Sequence, residues 1–271
     1  MNANFQTTGI ILQKKPFGEN DLLISFLSPE LGLKKAIAPN GRLYKSTLRG
    51  RTELLMVNDF FLIKGRNLDR ILQIEGQISY GQLNSNIGKL TISQYLAELV
   101  LHLAHEQPQK ELYMLFLEHL RRIDSLTDNE QLFAYLAQAV FHLLAISGIA
   151  PEIYHCVHNQ RQIQPNFEQP YWRVGFTFQG GGVTEYVKSS YSSHYYQIND
   201  HLNAVELALL QSLPKPSLLS DLREIIPFNC DDLVIQKSWM RIERILKNYL
   251  EFHLDCKMRS AEVIADILIG F

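Results

Sequence analysis

Short runs of alternating apolar and polar residues fill the first 80 positions of the chain. Five such runs can be counted, and glycine, proline and asparagine mark the turns between them. Runs of this length, bounded by turn residues, predict β-strands. The predicted strands cover residues 9–13, 21–28, 33–38, 53–64 and 68–78. Five strands in about 75 residues are typical of an OB-type barrel, whose loops and open face commonly hold oligonucleotides or oligosaccharides.

After residue 83 the apolar spacing changes to the three-and-four pattern of amphipathic helices. Helices are predicted up to residue 150 and again at 203–213 and 231–254, with Asn229 or Asp231 capping the last one. The aromatic, β-rich text between them predicts a small hairpin insert. The sequence therefore predicts an α+β multidomain protein with a barrel domain (1–80), a helical domain (81–150 and 198–271) and an insert (151–197).

The composition is that of an ordinary globular protein. The chain has 271 residues, of which 46% are hydrophobic and 20% charged, and this length favours more than one domain. No apolar run approaches the roughly 20 residues that cross a bilayer, and no signal peptide is readable. Three widely spaced cysteines, Cys156, Cys230 and Cys256, argue against a disulfide framework. We expect a cytoplasmic protein.

Charge is distributed unevenly along the chain. The net charge is −2, yet residues 1–75 hold eleven Lys and Arg against seven Asp and Glu. Residues 33–70 contain nine basic residues and only three acidic ones. The basic residues are Lys34, Lys35, Arg42, Lys45, Arg49, Arg51, Lys64, Arg66 and Arg70. A strip of cations on a barrel attracts a polyphosphate and gains affinity by releasing its counterions. These nine residues are the predicted DNA-binding residues, and a solvated charged surface is the alternative.

The loop at residues 40–51 has a composition suited to a flexible nucleic acid strand. It combines small and flexible residues with four cations and one aromatic residue, Tyr44. Cations can grip the phosphate backbone while an aromatic ring stacks on a base. This combination adds to the nucleic-acid interpretation without implying sequence specificity.

A metal site is suggested only in part. Cys156 with His155 or His158 could supply one pair of zinc ligands, but the hairpin that should supply the second pair offers Thr184 and its neighbours. Zinc requires four such ligands. We expect no bound metal.

Catalytic signatures are missing from the sequence. No Walker A pattern and no Gly-x-Ser-x-Gly elbow occur, and the glycines at 180–182 lack the context of a dinucleotide fingerprint. We therefore expect no catalytic residues, no cofactor and no enzymatic activity.

The predicted helix at 231–254 has an apolar side and a basic side. Lys237, Arg241 and Arg244 share the basic side, where they could meet DNA or an acidic peptide. They are candidate partner-binding residues, and a solvated stripe is the alternative.

Several segments in fixed order resemble the RecO family of bacterial DNA-repair proteins. The amino-terminal half carries Gly-Ile-Ile-Leu, Pro-Phe-Gly-Glu-Asn-Asp-Leu-Leu, Pro-Glu-Leu-Gly and the basic loop with Leu-Arg-Gly, followed by Gly-Arg-Asn-Leu. The segment at 249–260 is similar to the closing segment of that family. The likeness spans nearly the whole chain, and the order of its segments is more specific than any single motif.

The resemblance implies an OB domain, a helical domain and a small zinc-finger-like insert. It also implies binding of single- and double-stranded DNA, annealing of complementary strands, and partnership with RecR, single-strand-binding protein and RecA. Many members carry four cysteines in the insert. Here Cys156 matches the first, while Asn159, Thr184 and Val187 occupy the other three places.

Together these features predict a recombination mediator that binds DNA and consumes no nucleotide. An RNA-binding or translation-associated OB protein is the alternative function, and a metal-dependent nuclease is a third.

Overall fold

The computed structural model describes residues 4–127, 131–185, 196–216, 225–227, 230–264 and 267. Two compact units are present: Met1–Asn129 with Met258–Phe271, and Glu130–Lys257. Each is described separately below. Among the described helices, none combines the length and the apolar character that crossing a bilayer requires.

A closed five-stranded barrel forms the start of the first unit. Its strands are β1 (Asn4–Phe17), β2 (Asp21–Ser28), β3 (Gly32–Ala38), β4 (Val57–Ile63) and β5 (Asp69–Ile78). They close in the order β1-β2-β3-β5-β4, and every pair is antiparallel except β3 with β5. The five predicted strands and the OB-type barrel are thereby confirmed.

Strand β1 helps to close the barrel because it pairs with both β2 and β4. Its first half pairs with β4, from Asn4 opposite Ile63 to Ile10 opposite Val57. Its second half pairs with β2 as far as Phe17, which lies opposite Asp21. An irregularity after Ile11 interrupts the register, and such a bulge bends a strand and increases its twist. The strand is therefore much longer than the predicted 9–13.

The barrel interior is filled by aromatic and aliphatic side chains from alternate positions. The rings of Phe26 and Phe60 stack with their centroids 4.2 Å apart. Leu48, from the loop between β3 and β4, joins the same cluster and is buried. That contact anchors the middle of the basic loop to the core.

Three helices complete the first unit: α1 (Gly81–Ser85), α2 (Ile87–Leu103) and α3 (Lys110–Ser125). The side chain of Asn86 accepts a hydrogen bond from the Lys89 backbone N–H and caps α2. Helix α2 packs against β1, and the connection after it reaches the β2–β3 turn, where Leu33 N donates to His105 O at 2.7 Å. The helices thus cover part of the outer surface of the barrel.

The second unit combines helices α4 (Leu132–Ile146), α5 (Ala204–Ser212) and α6 (Asp232–Leu254) with a small sheet. Its strands β6 (Val174–Thr177), β7 (Gly182–Thr184) and β8 (Asp200–Leu202) lie in the order β7-β6-β8. The predicted hairpin is present as β6 and β7, with β8 added to it. Asp231 caps α6 by accepting from Leu233 N, whereas Asn229 lies outside the described residues.

The two units do not follow the predicted domain boundaries. Helices α1–α3 belong to the unit of the barrel, and α4–α6 belong to the unit of the small sheet. Packing of α2 on β1 explains why the first helices group with the barrel. The division into domains at residues 80, 150 and 197 stays a prediction.

Candidate nucleic-acid interface

Most of the nine predicted DNA-binding residues are exposed to solvent, and their positive charges are not neutralised by described carboxylates. Eight of them are exposed, and Lys34 is half-buried. Within the part of the chain that the structure describes, none of the nine forms an ion pair with a carboxylate. An exposed cation without a carboxylate neighbour remains free to meet a phosphate.

A row of residues crosses the outer face of β1, β2, β3 and β5. Lys15 lies opposite Leu23, Leu23 opposite Ile37, and Ile37 beside Arg70. Directly opposite residues share one face of a sheet, and the alternating neighbour Ile24 is buried in the core. Lys15 and Arg70 therefore lie on the outer face.

Lys35 belongs to the same outer face, because it lies two residues from Ile37 on β3. Lys34 has the other parity, since it lies opposite the core residue Phe26. Among the two adjacent lysines, only Lys35 thus has the position of an outward contact.

One end of this face is bounded by the β1–β2 turn. Arg42 is fixed against that turn, because its backbone N–H donates to Asn20 O at 2.9 Å and its Nη1 donates to Glu19 O at 2.9 Å. Asp21 Oδ1 accepts from Asn40 N at 2.7 Å. The carboxylate of Asp21 thus holds the loop backbone, while the guanidinium of Arg42 donates to the backbone carbonyl oxygens of Gly18 and Glu19.

The β4–β5 turn lies toward the opposite end of the face. Strand β5 begins beside Ala36, so the residues before Asp69 lie toward the amino-terminal half of β3. This turn carries Lys64 and Arg66, which are both exposed. Asp69 Oδ1 accepts from Gly65 N at 3.2 Å and stabilises the turn. In OB-type barrels the loops after β1 and after β4 commonly flank the bound ligand.

The basic loop between β3 and β4 presents an aromatic ring together with its cations. Tyr44 is 86% exposed, and the guanidinium of Arg49 lies over its ring. Lys45 is exposed beside it. Arg51 differs from these, because its Nη1 donates to Ile74 O at 2.7 Å and ties the loop to β5.

We use the term cationic surface for the outward cations of the barrel face, the β4–β5 turn and the basic loop. Its members are Lys15, Lys35, Arg42, Lys45, Arg49, Lys64, Arg66 and Arg70. Of the predicted residues, Lys34 and Arg51 are set apart by their positions. Lys15 is not among the predicted residues, because it lies outside the basic segment at 33–70 and only the strand register brings it into the same row as Arg70.

Three of the four family cysteine positions lie close together in the insert, and of these three only Cys156 carries a thiol. Cys156 Sγ lies 3.6 Å from Thr184 Oγ1, and Asn159 Nδ2 donates to Glu185 Oε2 at 2.8 Å. Val187 lies outside the described residues. One thiol, one hydroxyl and one amide do not fit the zinc ligand set.

The Cys156 thiol is buried, and its environment acts on its pKa in two directions. Burial raises the pKa, but N–H groups of Glu185, Asn159 and His158 donate toward the sulfur and outweigh it, so that the pKa is lowered. Donors directed at a sulfur favour its anionic form. The turn thus keeps an environment suited to a thiolate even without a metal ligand set.

The basic side of α6 is partly occupied by an internal ion network. Arg241 Nη2 contacts Asp200 at 2.8 Å, and Arg241 Nη1 lies 3.3 Å from the buried Glu206. Arg244 lies 3.9 Å from Asp200 and remains mostly exposed. Lys237 forms no ion pair with a described residue. Arg241 is therefore not the freely solvated cation that the helical spacing suggested, and the partner-binding role of all three stays a prediction.

The closed five-stranded barrel places the amino-terminal part of the chain in the class of OB-fold proteins. The models of two families, Recombination protein O N terminal and Recombination protein O C terminal, match residues 1–80 and 84–262. The chain belongs to the RecO family of DNA repair and recombination proteins, and the resemblance noted in the sequence is confirmed.

Relatives match over nearly their full length. The chain is 45% identical over 278 residues to DNA repair protein RecO of Gloeothece citriformis, with 97% of each chain covered. It is 41% identical to DNA repair protein RecO of Synechocystis sp., again with 97% of each chain covered. The protein of the same name from Synechococcus elongatus is 35% identical, with all of this chain and 98% of the relative covered.

Proposed function

We propose that the chain is a DNA-binding recombination mediator that acts in the cytoplasm without catalysing covalent chemistry. In this role it binds single- and double-stranded DNA, anneals complementary strands, and helps RecA load onto strands coated by single-strand-binding protein. RecR and single-strand-binding protein are its partners. The observation that carries the proposal is the cationic surface, whose charges have no carboxylate partner among the described residues.

The arrangement of the cations supports binding along a backbone more than reading of bases. Lys35 and Arg70 occupy adjacent strands, Lys64 occupies the β4–β5 turn, and Arg42 of the basic loop is held against the β1–β2 turn. Contacts to phosphate supply affinity and position but carry no sequence information. Such a surface can bind any strand, as annealing of arbitrary complementary sequences requires.

Annealing follows from the same electrostatics. Two complementary strands repel each other through their phosphates, and a cationic surface lowers that repulsion by neutralising part of the charge. The energy of pairing then comes from the strands themselves, so no nucleotide has to be hydrolysed. This agrees with the lack of a Walker A pattern in the sequence.

The contact with single-strand-binding protein is assigned to α6. An acidic peptide complements a cation electrostatically, and Lys237 and Arg244 are the exposed cations of this helix face. Arg241 acts in this proposal as the internal partner of Asp200 and Glu206.

An annealing assay with the purified chain tests the proposal. The wild-type chain is expected to accelerate pairing of complementary oligonucleotides at low salt, and the acceleration is expected to disappear as salt increases. The triple variant R42E/K45E/R49E should lose most of the acceleration while retaining its circular dichroism spectrum, since all three side chains are exposed.

Two results would contradict the proposal. One is a wild-type chain that leaves the pairing rate unchanged at low salt. The other is a tighter complex with RNA than with DNA of the same sequence, which would favour an RNA-binding OB protein instead.

A further inference from the structure

A surface pocket in the second unit is lined by aromatic, amide and charged side chains. Its volume is about 840 Å³, and Tyr171, Trp172, Arg173, Gln162, Gln164 and His201 are among the residues that line it. Tyr171 is 91% exposed, and Trp172 is half-buried. The pocket thus offers two aromatic rings to solvent next to a cation and several amides.

Backbone hydrogen bonds hold the walls of this pocket in place. Trp172 N donates to Gln169 O at 3.1 Å and closes a turn just before β6. In another segment of the lining, Ile163 N donates to Tyr154 O at 2.8 Å, and Ile163 O accepts from Gln211 Nε2 at 2.9 Å. The walls are therefore preformed, and a ligand need not order them.

The chemistry of the lining matches an unpaired base. Aromatic rings stack on the face of any base, and base–aromatic stacking tolerates every sequence. Amides such as Gln162 and Gln164 carry both donors and acceptors, as the edges of exposed bases do. Arg173 supplies one positive charge, while Glu185 on the same lining supplies one negative charge and accepts from Asn159.

We propose that this pocket is a second DNA site that takes an unstacked base of single-stranded DNA, with Tyr171 and Trp172 as its stacking residues. The inference rests on the proposed function, because it assigns a further contact for the strand that the cationic surface binds. The pocket would bind DNA by a different interaction from the cationic surface, since the charges that line the pocket nearly cancel. Affinity here comes from stacking and therefore depends little on salt.

The tryptophan content of the chain makes the pocket directly observable. The chain has two tryptophans, Trp172 at the pocket and Trp239 in α6, and Trp239 is only 3% exposed. A base that stacks on an indole quenches its fluorescence. Quenching should therefore report on Trp172 and leave Trp239 unaffected.

The test is a fluorescence titration of the full chain with oligothymidylate, paired with the anisotropy of a labelled oligonucleotide. Quenching is expected in the wild type and in W239F, and it should vanish in W172F. Tyr171→Ala should lower the affinity for the single strand roughly tenfold at high salt and leave the affinity for duplex unchanged. A deoxyribose-phosphate oligomer without bases should cause no quenching.

Phe167→Ala is the matched control. Phe167 is an exposed aromatic residue of the same loop that does not line the pocket. This variant should bind and quench like the wild type. A titration in which anisotropy reports binding without any quenching, or in which Y171A binds single strands normally, overturns the pocket and leaves the cationic surface intact. If anisotropy detects no DNA binding at all, the proposed function fails and this inference fails with it.

Discussion

The guanidinium carbon of Arg49 lies 5.3 Å from the centroid of the Tyr44 ring. A cation over an aromatic ring is stabilising, by about 0.5–1 kcal/mol at an exposed site. The contact orients a ring that is otherwise 86% exposed and sets it among the cations of the basic loop. A ring held in this way is available to stack on a base while its neighbours contact phosphates.

Substitution of Tyr44 should separate stacking from charge. Tyr44→Ala is expected to weaken binding of single-stranded DNA by roughly 5- to 10-fold, because one base loses its stacking partner. Duplex binding should change little, since paired bases are not accessible to the ring. Tyr44→Phe keeps the ring and should bind like the wild type in the same anisotropy titrations. Equal losses for both DNA forms would show that Tyr44 acts only on the loop conformation.

The outer-face cations Lys35 and Arg70 should contribute to the salt dependence of binding. Each single substitution to glutamine is expected to reduce the slope of log affinity against log salt by about 0.9 for duplex DNA, since one phosphate contact is lost.

Arg121 provides the control for that measurement. It forms an ion pair with Glu118, and hydrogen bonds from Arg121 and Arg122 hold the pKa of Glu118 at about 2. Its charge is already matched, so R121Q should leave the slope unchanged. If K35Q and R70Q behave like R121Q, the barrel face is not the DNA surface.

Gly32 should not tolerate a side chain. Its φ is +69°, and an added Cβ would collide with the backbone oxygens of His105 and Gln107. Gly32→Ala is expected to lower the free energy of unfolding by roughly 2–4 kcal/mol, measured by urea denaturation. Gly18 has a similar φ of +61° but open space around the added atom. Gly18→Ala should therefore cost only about 1 kcal/mol. Equal effects would mean that the contact with the α2–α3 connection does not constrain the barrel.

Glu243 should make the stability of the second unit depend on pH. Burial raises its pKa from 4.5 to about 7, and its Oε1 has no hydrogen-bond partner among the described residues. The folded state thus favours the protonated carboxyl, whose stabilising contribution is complete below about pH 4.5 and is lost as pH rises through about 7. Glu243→Gln removes this loss and should raise the free energy of unfolding above pH 7 by up to roughly 3 kcal/mol.

The measurement for Glu243 is urea denaturation of both chains between about pH 5 and pH 8. The advantage of the variant should grow with pH across that range. A difference that is constant, or that shrinks as pH rises, contradicts the inferred protonation of Glu243.

Arg241 and Lys237 should have different roles although both lie on the basic side of α6. Arg241→Ala leaves Glu206, which is only 3% exposed, without its ion-pair partner. We expect a loss of roughly 2–4 kcal/mol in the free energy of unfolding, because a buried charge is left uncompensated. Lys237→Ala should not change stability but should weaken binding of an acidic peptide from single-strand-binding protein. The reverse pattern would overturn both assignments.

The barrel could be predicted from the sequence because its signal is local. Alternation of apolar residues and the turns between them predicted the number of strands, whereas β1 is longer than predicted and β4 begins at Val57 rather than at residue 53. The predicted strand ends at residue 13, yet Lys14, Lys15 and Pro16 lie opposite Ile24, Leu23 and Leu22 on β2. Partnership with a neighbouring strand outweighed the local propensity.

The site could be predicted only as a set of cations. Which of them share a face depends on strand register, as the row from Lys15 to Arg70 demonstrates. The ion network of Arg241 depends on Asp200, a residue 41 positions away in the chain. Helical periodicity cannot predict an ion-pair partner that lies on another element of the fold. From the sequence, Tyr171 and Trp172 belong only to an aromatic, β-rich segment. The pocket could not be predicted, because the residues that line it come from separate parts of the chain.

Closure of the barrel also determines how it can be recognised. Each of its five strands has a neighbour on both sides, but β3 and β5 share only the pairs Ala36–Asp69 and Ile37–Arg70. Addition of an extended segment as a further strand is therefore restricted to the edges of β3 and β5 beyond these two pairs. Over the rest of the barrel a ligand is contacted through side chains and loops, and exchanging surface residues can change the choice of ligand without disturbing the paired backbone.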